Sequence, residues 1–165
     1  MTTMRTMTTT SDIIVRRGSI LDIEAVQSIE CRAFGVHAYS RGEIENMLTF
    51  ENSVTFILEV DGRVAGYSSL FFSRKGKIAH VESIAVDPVF QGSGLGRKLM
   101  DAMENEARDR GCEKIVLETF EKNERALRMY LKRGYLVKGI VEGYYTIPYE
   151  GSRNAVRLEK DIKVK

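Results

Sequence analysis

A strand-like run through Ile84, Ala85 and Val86 ends at Asp87-Pro88, and three glycines follow within five residues, at Gly92, Gly94 and Gly96. An amphipathic helix pattern begins at once. Backbone N–H groups freed by such a turn, joined to the positive end of a helix dipole, make a cradle for a phosphate or pyrophosphate. Glycine suits the place because it lets the chain approach an anion closely and takes φ values closed to other residues. Just upstream, His80 and Glu82 share one strand face by alternation. Histidine titrates near neutrality, so His80 can relay a proton through water.

These residues need a frame. Ile13 to Arg17 reads as a short first strand. Ser19 with Asp22 three residues on is a capping signature, and Ile20, Ile23, Val26, Ile29 and Ala33 recur at helical spacing, predicting a helix over 20–34. A loop, 34–40, leads to Ser40, which caps a shorter helix carrying Ile44, Met47 and Leu48. Residues 53–60, 63–73 and 77–87 read as an antiparallel meander, with the hairpin pair Asp61-Gly62 and a second turn at Lys75-Gly76. The glycine loop opens a third helix over 94–110, with Leu95, Leu99, Met103 and Ala107 on one face and Gly111 as its stop. A strand at 114–120 follows, then a helix from Asn123 to Gly134. Two last strands, "YLVKGIV" and "AVRLEKDI", close the chain. The order is β-α-α-β-β-β-α-β-α-β-β, with no repeat and no dividing linker. It predicts one domain over 12–165 behind a disordered tail, 1–11.

Composition narrows the function. Lys and Arg total 25 against 23 Asp and Glu, so no basic field points to nucleic acid. Two cysteines are too few for a disulfide framework and fit a reducing compartment. No apolar run approaches the ~18 residues of a membrane span. The Thr- and Met-rich start lacks the apolar segment of a signal peptide. A cytoplasmic protein is expected.

The loop is neither a dinucleotide fingerprint nor a Walker A loop. The sixth position of Gly-x-Gly-x-x-Gly falls on Arg97 or Leu99, and no Gly-Lys-Ser/Thr is present. It does fit Gln/Arg-x-x-Gly-x-Gly/Ala, as Gln91-Gly92-Ser93-Gly94-Leu95-Gly96. With "IAVDP" before it, this resembles the acetyl-CoA loop of the GNAT superfamily of N-acetyltransferases. "VLETFEKNERALRMYLKRGY", 116–135, resembles the second hallmark: strand, Asn, helix with Tyr, then Gly-aromatic. The likeness runs over nearly the whole chain. It implies an α/β (α+β) fold, with a mixed, mostly antiparallel sheet of about seven strands and four helices, splayed between the fourth and fifth strands. It implies acetyl-CoA as cosubstrate and no metal.

Joining a thioester to an amine needs a neutral amine, a donor for the carbonyl oxygen and a proton for the leaving thiolate. The resemblance maps the oxyanion donor and pantetheine partners onto Ile84, Ala85 and Val86. It maps the pyrophosphate loop onto 91–97, which ends at Arg97. Asn123 resembles the family asparagine on the pantetheine side, and is also a natural N-cap. Tyr130 takes the place of the tyrosine that meets the thiolate. It also falls on the apolar stripe of Ala126, Leu127 and Leu131, so its ring can be buried while its hydroxyl is presented.

Glu118 lies twelve residues before Tyr130, a spacing shared with RimI-like protein N-terminal acetyltransferases, and is the leading base. Alternation alone does not settle which way it faces. His80 before "V-x-S-I-A-V" is similar to archaeal Ard-type enzymes, and Glu82 is an alternate base. In such enzymes the hairpin carrying Tyr144 and Tyr145 closes over a peptide, with Phe34 and Val36 as the opposite wall. The implied reaction is direct acetyl transfer, in a ternary complex, to the N-terminal α-amine of a protein or peptide. Lysine, polyamine or small-amine acetylation stays open, as does a non-catalytic acetyl-CoA-binding module. The acidic residues around Glu43–Glu51 read as too scattered for a polyamine groove. No nucleic acid or membrane partner is implied, and monomer, homodimer and ribosome- or complex-bound forms all stay open.

Overall fold

The structure is a computed structural model that describes residues 10–163; the expected tail, 1–11, lies outside the described residues as far as residue 9. The elements are β1 (Ile13–Arg17), α1 (Ile23–Phe34), α2 (Arg41–Thr49), β2 (Ser53–Val60), β3 (Arg63–Phe72), β4 (Ile78–Val86), α3 (Leu95–Asp109), β5 (Lys114–Phe120), α4 (Glu124–Lys132), β6 (Leu136–Val141) and β7 (Ala155–Asp161). They form one seven-stranded sheet in the order β1-β2-β3-β4-β5-β7-β6. All neighbours are antiparallel except β4 and β5.

Most elements fall where local patterning places them. Asp61 and Gly62 both take positive φ, as a tight hairpin turn requires. The Ser40–Glu43 capping box starts α2. The first helix differs: Ser19 and Asp22 close a separate 3-10 turn over Ile20–Asp22, and α1 begins at Ile23. The break falls at Asp22, whose backbone sits at φ −91° and ψ 0° while its carboxylate completes the Ser19 capping box at 2.9 Å and also accepts from Arg16 on β1 at 2.8 and 3.1 Å. The 34–40 loop likewise contains a 3-10 turn at Gly35–His37.

The sheet is covered on both faces. On one, Leu95, Leu99, Met103 and Ala107 of α3 are buried against Phe56, Leu58, Leu70 and Ile115. On the other, Val26, Ile29, Ile44 and Met47 of α1 and α2 pack on Ile57 and Tyr67. Each large side chain so buried contributes about 1.5–3 kcal/mol.

Two features of β4 shape the site. Its register with β3 steps from Ser83↔Ser69 to Val81↔Leu70, so Glu82 is an extra, bulged residue. A one-residue step reverses which side chains face which layer. Accordingly Ala79 and Val81 join the α3 layer while Ala85 joins the α1–α2 layer. The second feature is its short seam with β5, which pairs only Ile78–His80 with Lys114–Val116 before the strands part. The gap that opens beyond His80 is the cleft.

Candidate active site

The cleft has a volume of about 930 Å³. Its floor is β4 from Val81 to Val86, one end is the glycine loop, and its far wall is β5 and α4. Its other end lies between the α1–α2 connection and the long β6–β7 connection, with Phe34, Val36, Tyr144 and Tyr145 among the lining residues.

The glycine end fits a pyrophosphate. Gly92 and Gly94 take φ of +88° and +76°. Gly94 is the N-cap of α3 and carries no side chain to satisfy the first-turn N–H groups. A Cβ built on Gly92, Gly94 or Gly96 meets nothing within 4 Å. Arg97 and Arg125 also line the cleft. This is an open, N–H-lined cradle with cationic neighbours, which is what a phosphorylated carrier needs.

The loop is braced from within. Gln91 Nε2 donates to the Val86 carbonyl at 3.1 Å, and Ser93 Oγ donates to the Phe90 carbonyl at 2.8 Å. Asp87 caps the turn before it through the Val89 N–H at 3.1 Å and pairs with Arg32 of α1. Gln91 lines the cleft; Ser93 does not. Asn123 accepts from the Ala126 N–H at 3.2 Å, so it is the N-cap of α4, and it also lines the cleft.

Three titratable side chains, Glu118, His80 and Glu82, meet across the β4–β5 gap. Ile115, Leu117 and Thr119 are buried, which turns Glu118 the other way, into the cleft. The carboxylate is nearly enclosed, with its side chain 6% exposed. Arg157 on β7, the cross-strand partner of Glu118, brings Nε and Nη2 within 2.9 Å of Oε1. His80 Nε2 stands 2.5 Å from the other oxygen, and His80 Nδ1 is 3.1 Å from Glu82 Oε1.

Two carboxylates and two cations thus form one row. Hydrogen bonds to Glu118 and then Glu82 outweigh burial and raise the His80 imidazole to about 9, so it is a cation at neutral pH. Burial works to raise the Glu118 carboxyl, but the hydrogen bonds and charges of His80 and Arg157 win and hold it below the usual carboxylate range. His80 does not itself line the cleft; it stands behind Glu118 and Glu82, which do.

On the α4 side, Tyr130 is buried, with its ring edge-on to Tyr135 at 5.7 Å. It still lines the cleft, and burial pushes its phenol up to about 12. It is a neutral O–H at any physiological pH.

At the end away from the glycine loop, Tyr145 stacks on Phe120 with centroids 3.7 Å apart, while Tyr144 is 44% exposed. Burial, then the Glu118 and Glu82 charges, raise the Tyr144 phenol. Val36 is 74% exposed at the rim. The two walls are tied: His37 Nε2 lies 3.1 Å from the Pro148 carbonyl, and its ring packs edge-on against Phe120 and Tyr149. Sequence reasoning missed Arg157, His37, Phe120, Tyr39 and Glu30. It also read Glu43 as part of a scattered set, yet Glu30, Glu43, Glu82 and Glu118 all line this one cleft. Among the described residues, no group of three or more His, Cys, Asp and Glu side chains is arranged to hold a metal ion.

The chain is similar to known proteins in sequence and in fold. An uncharacterised N-acetyltransferase of Methanocaldococcus jannaschii is 32% identical over 134 residues, 81% of this chain and 84% of that protein. The glucosamine 6-phosphate N-acetyltransferase of Trypanosoma brucei brucei is 35% identical over 85 residues, 48% of this chain and 56% of that protein. The crystal structure of the ribosomal-protein-S18-alanine N-acetyltransferase from Escherichia coli superposes with a TM-score of 0.85 at 26% identity, covering 93% of this chain and 96% of that one. The Acetyltransferase (GNAT) family pattern matches residues 23–135, from the first wall of the cleft to the tyrosine that packs against Tyr130. This chain therefore belongs to the GNAT acetyltransferase family, and its donor is acetyl-CoA.

Proposed function

We propose that the acceptor is the N-terminal α-amine of a protein or peptide, acetylated in the cytoplasm within a ternary complex. The observation that carries this reading is the tied acceptor end. His37 bridges the α1–α2 connection to Pro148 on the β6–β7 connection, beside Tyr144 and Tyr145. A chain end reaches the carboxylates through such a mouth more readily than a side chain in the middle of a polypeptide. The likeness to the S18-alanine acetyltransferase supports the same reading.

The chemistry agrees. An α-amine titrates at roughly 7.7–8.0, so about a tenth of it is neutral at pH 7, against below a thousandth for lysine at roughly 10.4. Bound acetyl-CoA supplies an activated acyl carbon and a thiolate leaving group. Glu118, held low by two cations, is a weak base toward a free ammonium. It serves instead to orient the neutral amine and to take its proton once the N–C bond forms, when that nitrogen is far more acidic. His80 and Arg157 keep the carboxylate ionised and aimed. Tyr130 keeps its phenolic proton up to about pH 12 and is the donor at the thioester end.

A second reading is a small-amine or sugar-amine acceptor, favoured by the match to the glucosamine 6-phosphate enzyme and by the four carboxylates lining the cleft. The test is kcat/KM for two matched peptides, one with a free N-terminus and one blocked there but carrying an internal lysine. The free-terminus peptide is expected to react at least a hundredfold faster, in line with the difference in neutral amine. Equal rates, or preference for the lysine peptide or a free amino sugar, would overturn the N-terminal assignment.

A further inference from the structure

Glu82 is anchored in an unusual way. As the bulged residue it has no Cα partner on β3, and it lies just past His80, where pairing with β5 has stopped. Its Cα therefore has no register partner on either neighbouring strand. Its carbonyl is held from outside the sheet: the Tyr39 hydroxyl donates to it at 3.0 Å. Tyr39 is fixed in turn, because its N–H donates to Glu30 Oε1 at 3.0 Å. Glu30 on α1 is 1% exposed. Its second oxygen accepts from the Tyr67 hydroxyl, and from Ser83 Oγ at 3.4 Å. Tyr67 and Ser83 belong to β3 and β4, so the path runs from the sheet to α1, to the α1–α2 connection, and back to the sheet one residue away from Ser83.

An isolated buried carboxylate is costly, and burial does push the Glu30 carboxyl up against these hydrogen bonds. A core there could be built from apolar side chains; the polar path is explained by the one backbone group it reaches. We infer that Glu30 and Tyr39 are positioning residues, which lock the β4 bulge so that the Glu82 carboxylate holds His80 Nδ1 and thereby keeps His80 against Glu118. The inference rests on the reading of Glu118, His80 and Glu82 as the proton-handling row.

The test is read on His80 itself, in the free protein, so its outcome does not depend on which acceptor is correct. The chain has two histidines, so the His80 signals are assigned as those absent from His80→Ala. The groups that bear on His80 are Glu82 on β4 and Glu118 on β5, with Arg157 on β7 and Tyr144 above Glu118. Tyr39→Phe removes one oxygen, leaves all of these side chains in place and loses the bond to the Glu82 carbonyl. Followed by NMR, the His80 titration midpoint is expected to fall from about 9 by half a unit or more. Glu30→Gln, which keeps a carbonyl oxygen but weakens the grip on Tyr39, should lower it less. With acetyl-CoA and an accepted amine, Tyr39→Phe should reduce kcat at least fivefold and leave KM for acetyl-CoA within twofold. A His80 midpoint unchanged in a folded Tyr39→Phe protein overturns the inference, whatever happens to the rate. A lowered midpoint with unchanged kcat upholds the positioning and removes the proton-handling role of the row.

Discussion

Glu118→Gln will fold, will bind acetyl-CoA as the parent does, and will lose about 10²–10⁴ in kcat, the usual worth of a positioned proton acceptor. The exchange keeps the shape and one carbonyl oxygen but removes the charge that aligns Arg157 and His80. His80 then loses its strongest partner and its pKa falls from about 9. The mechanism also fixes a pH dependence. Parent and variant both draw on the neutral amine, so both rates fall together below the α-amine pKa of roughly 7.7–8.0, and their ratio should stay level between about pH 6.5 and 8. A ratio that is largest at pH 6.5 and shrinks as the amine becomes neutral means that Glu118 deprotonates the incoming ammonium instead. A variant kcat within threefold of the parent means that Glu118 holds the site together without taking a proton.

Gly96→Val should separate binding from stability. Gly96 sits in the first turn of α3 with an ordinary φ, and an added Cβ meets no protein atom within 4 Å. Valine is a better helix residue than glycine by a few tenths of a kcal/mol, so Tm should hold or rise slightly. The same side chain projects into the cradle, so affinity for acetyl-CoA should drop at least tenfold, about 1.4 kcal/mol. Calorimetry and a melting curve on one sample decide the matter. Undiminished affinity would place the pyrophosphate elsewhere. Gly94→Val is the less clean experiment, because φ at Gly94 is +76° and a branched residue there strains the N-cap itself.

Much of this frame can be read from local pattern, and what escapes reading has a common cause. The Ser40 cap, the Asp61-Gly62 turn, the α3 stripe and the glycine loop are all set by residues within a few positions of each other. The bulge at Glu82 is not. Its flanking alternation reads as one continuous strand, and only pairing with β3 reveals the extra residue. Arg157 is another case. It meets Glu118 because β7 inserts between β5 and β6, and nothing in the last two strand segments states that order. Glu30 looks like a polar residue on a helix, and its burial follows from how α1 sits on the sheet. Helix 1 shows the opposite case: a valid capping signature at Ser19 reads as the start of one continuous helix, whereas Asp22, held by Arg16 of the neighbouring strand, parts the first turn from α1. Side chains that work through one element are legible; those that work between elements are not.

The short seam between β4 and β5 has a mechanical consequence. Three residue pairs join those strands, whereas β2 and β3 share eight and β5 and β7 share seven. The sheet is in effect two leaves on a narrow hinge, stapled elsewhere by Glu104 of α3, which holds Arg133 at 2.9 Å and Lys160 at 3.2 Å. Any molecule lying in the gap touches both leaves and stiffens the hinge. Amide protons along β5 and β7 should then exchange with solvent several-fold more slowly when acetyl-CoA is present, while those of β2 and β3 change little. Equal slowing in both leaves would mean the Glu104 staple already makes them one rigid body. The donor would thus act as a crosslink as well as a reagent, and its departure as free CoA would be the moment the protein is most compliant.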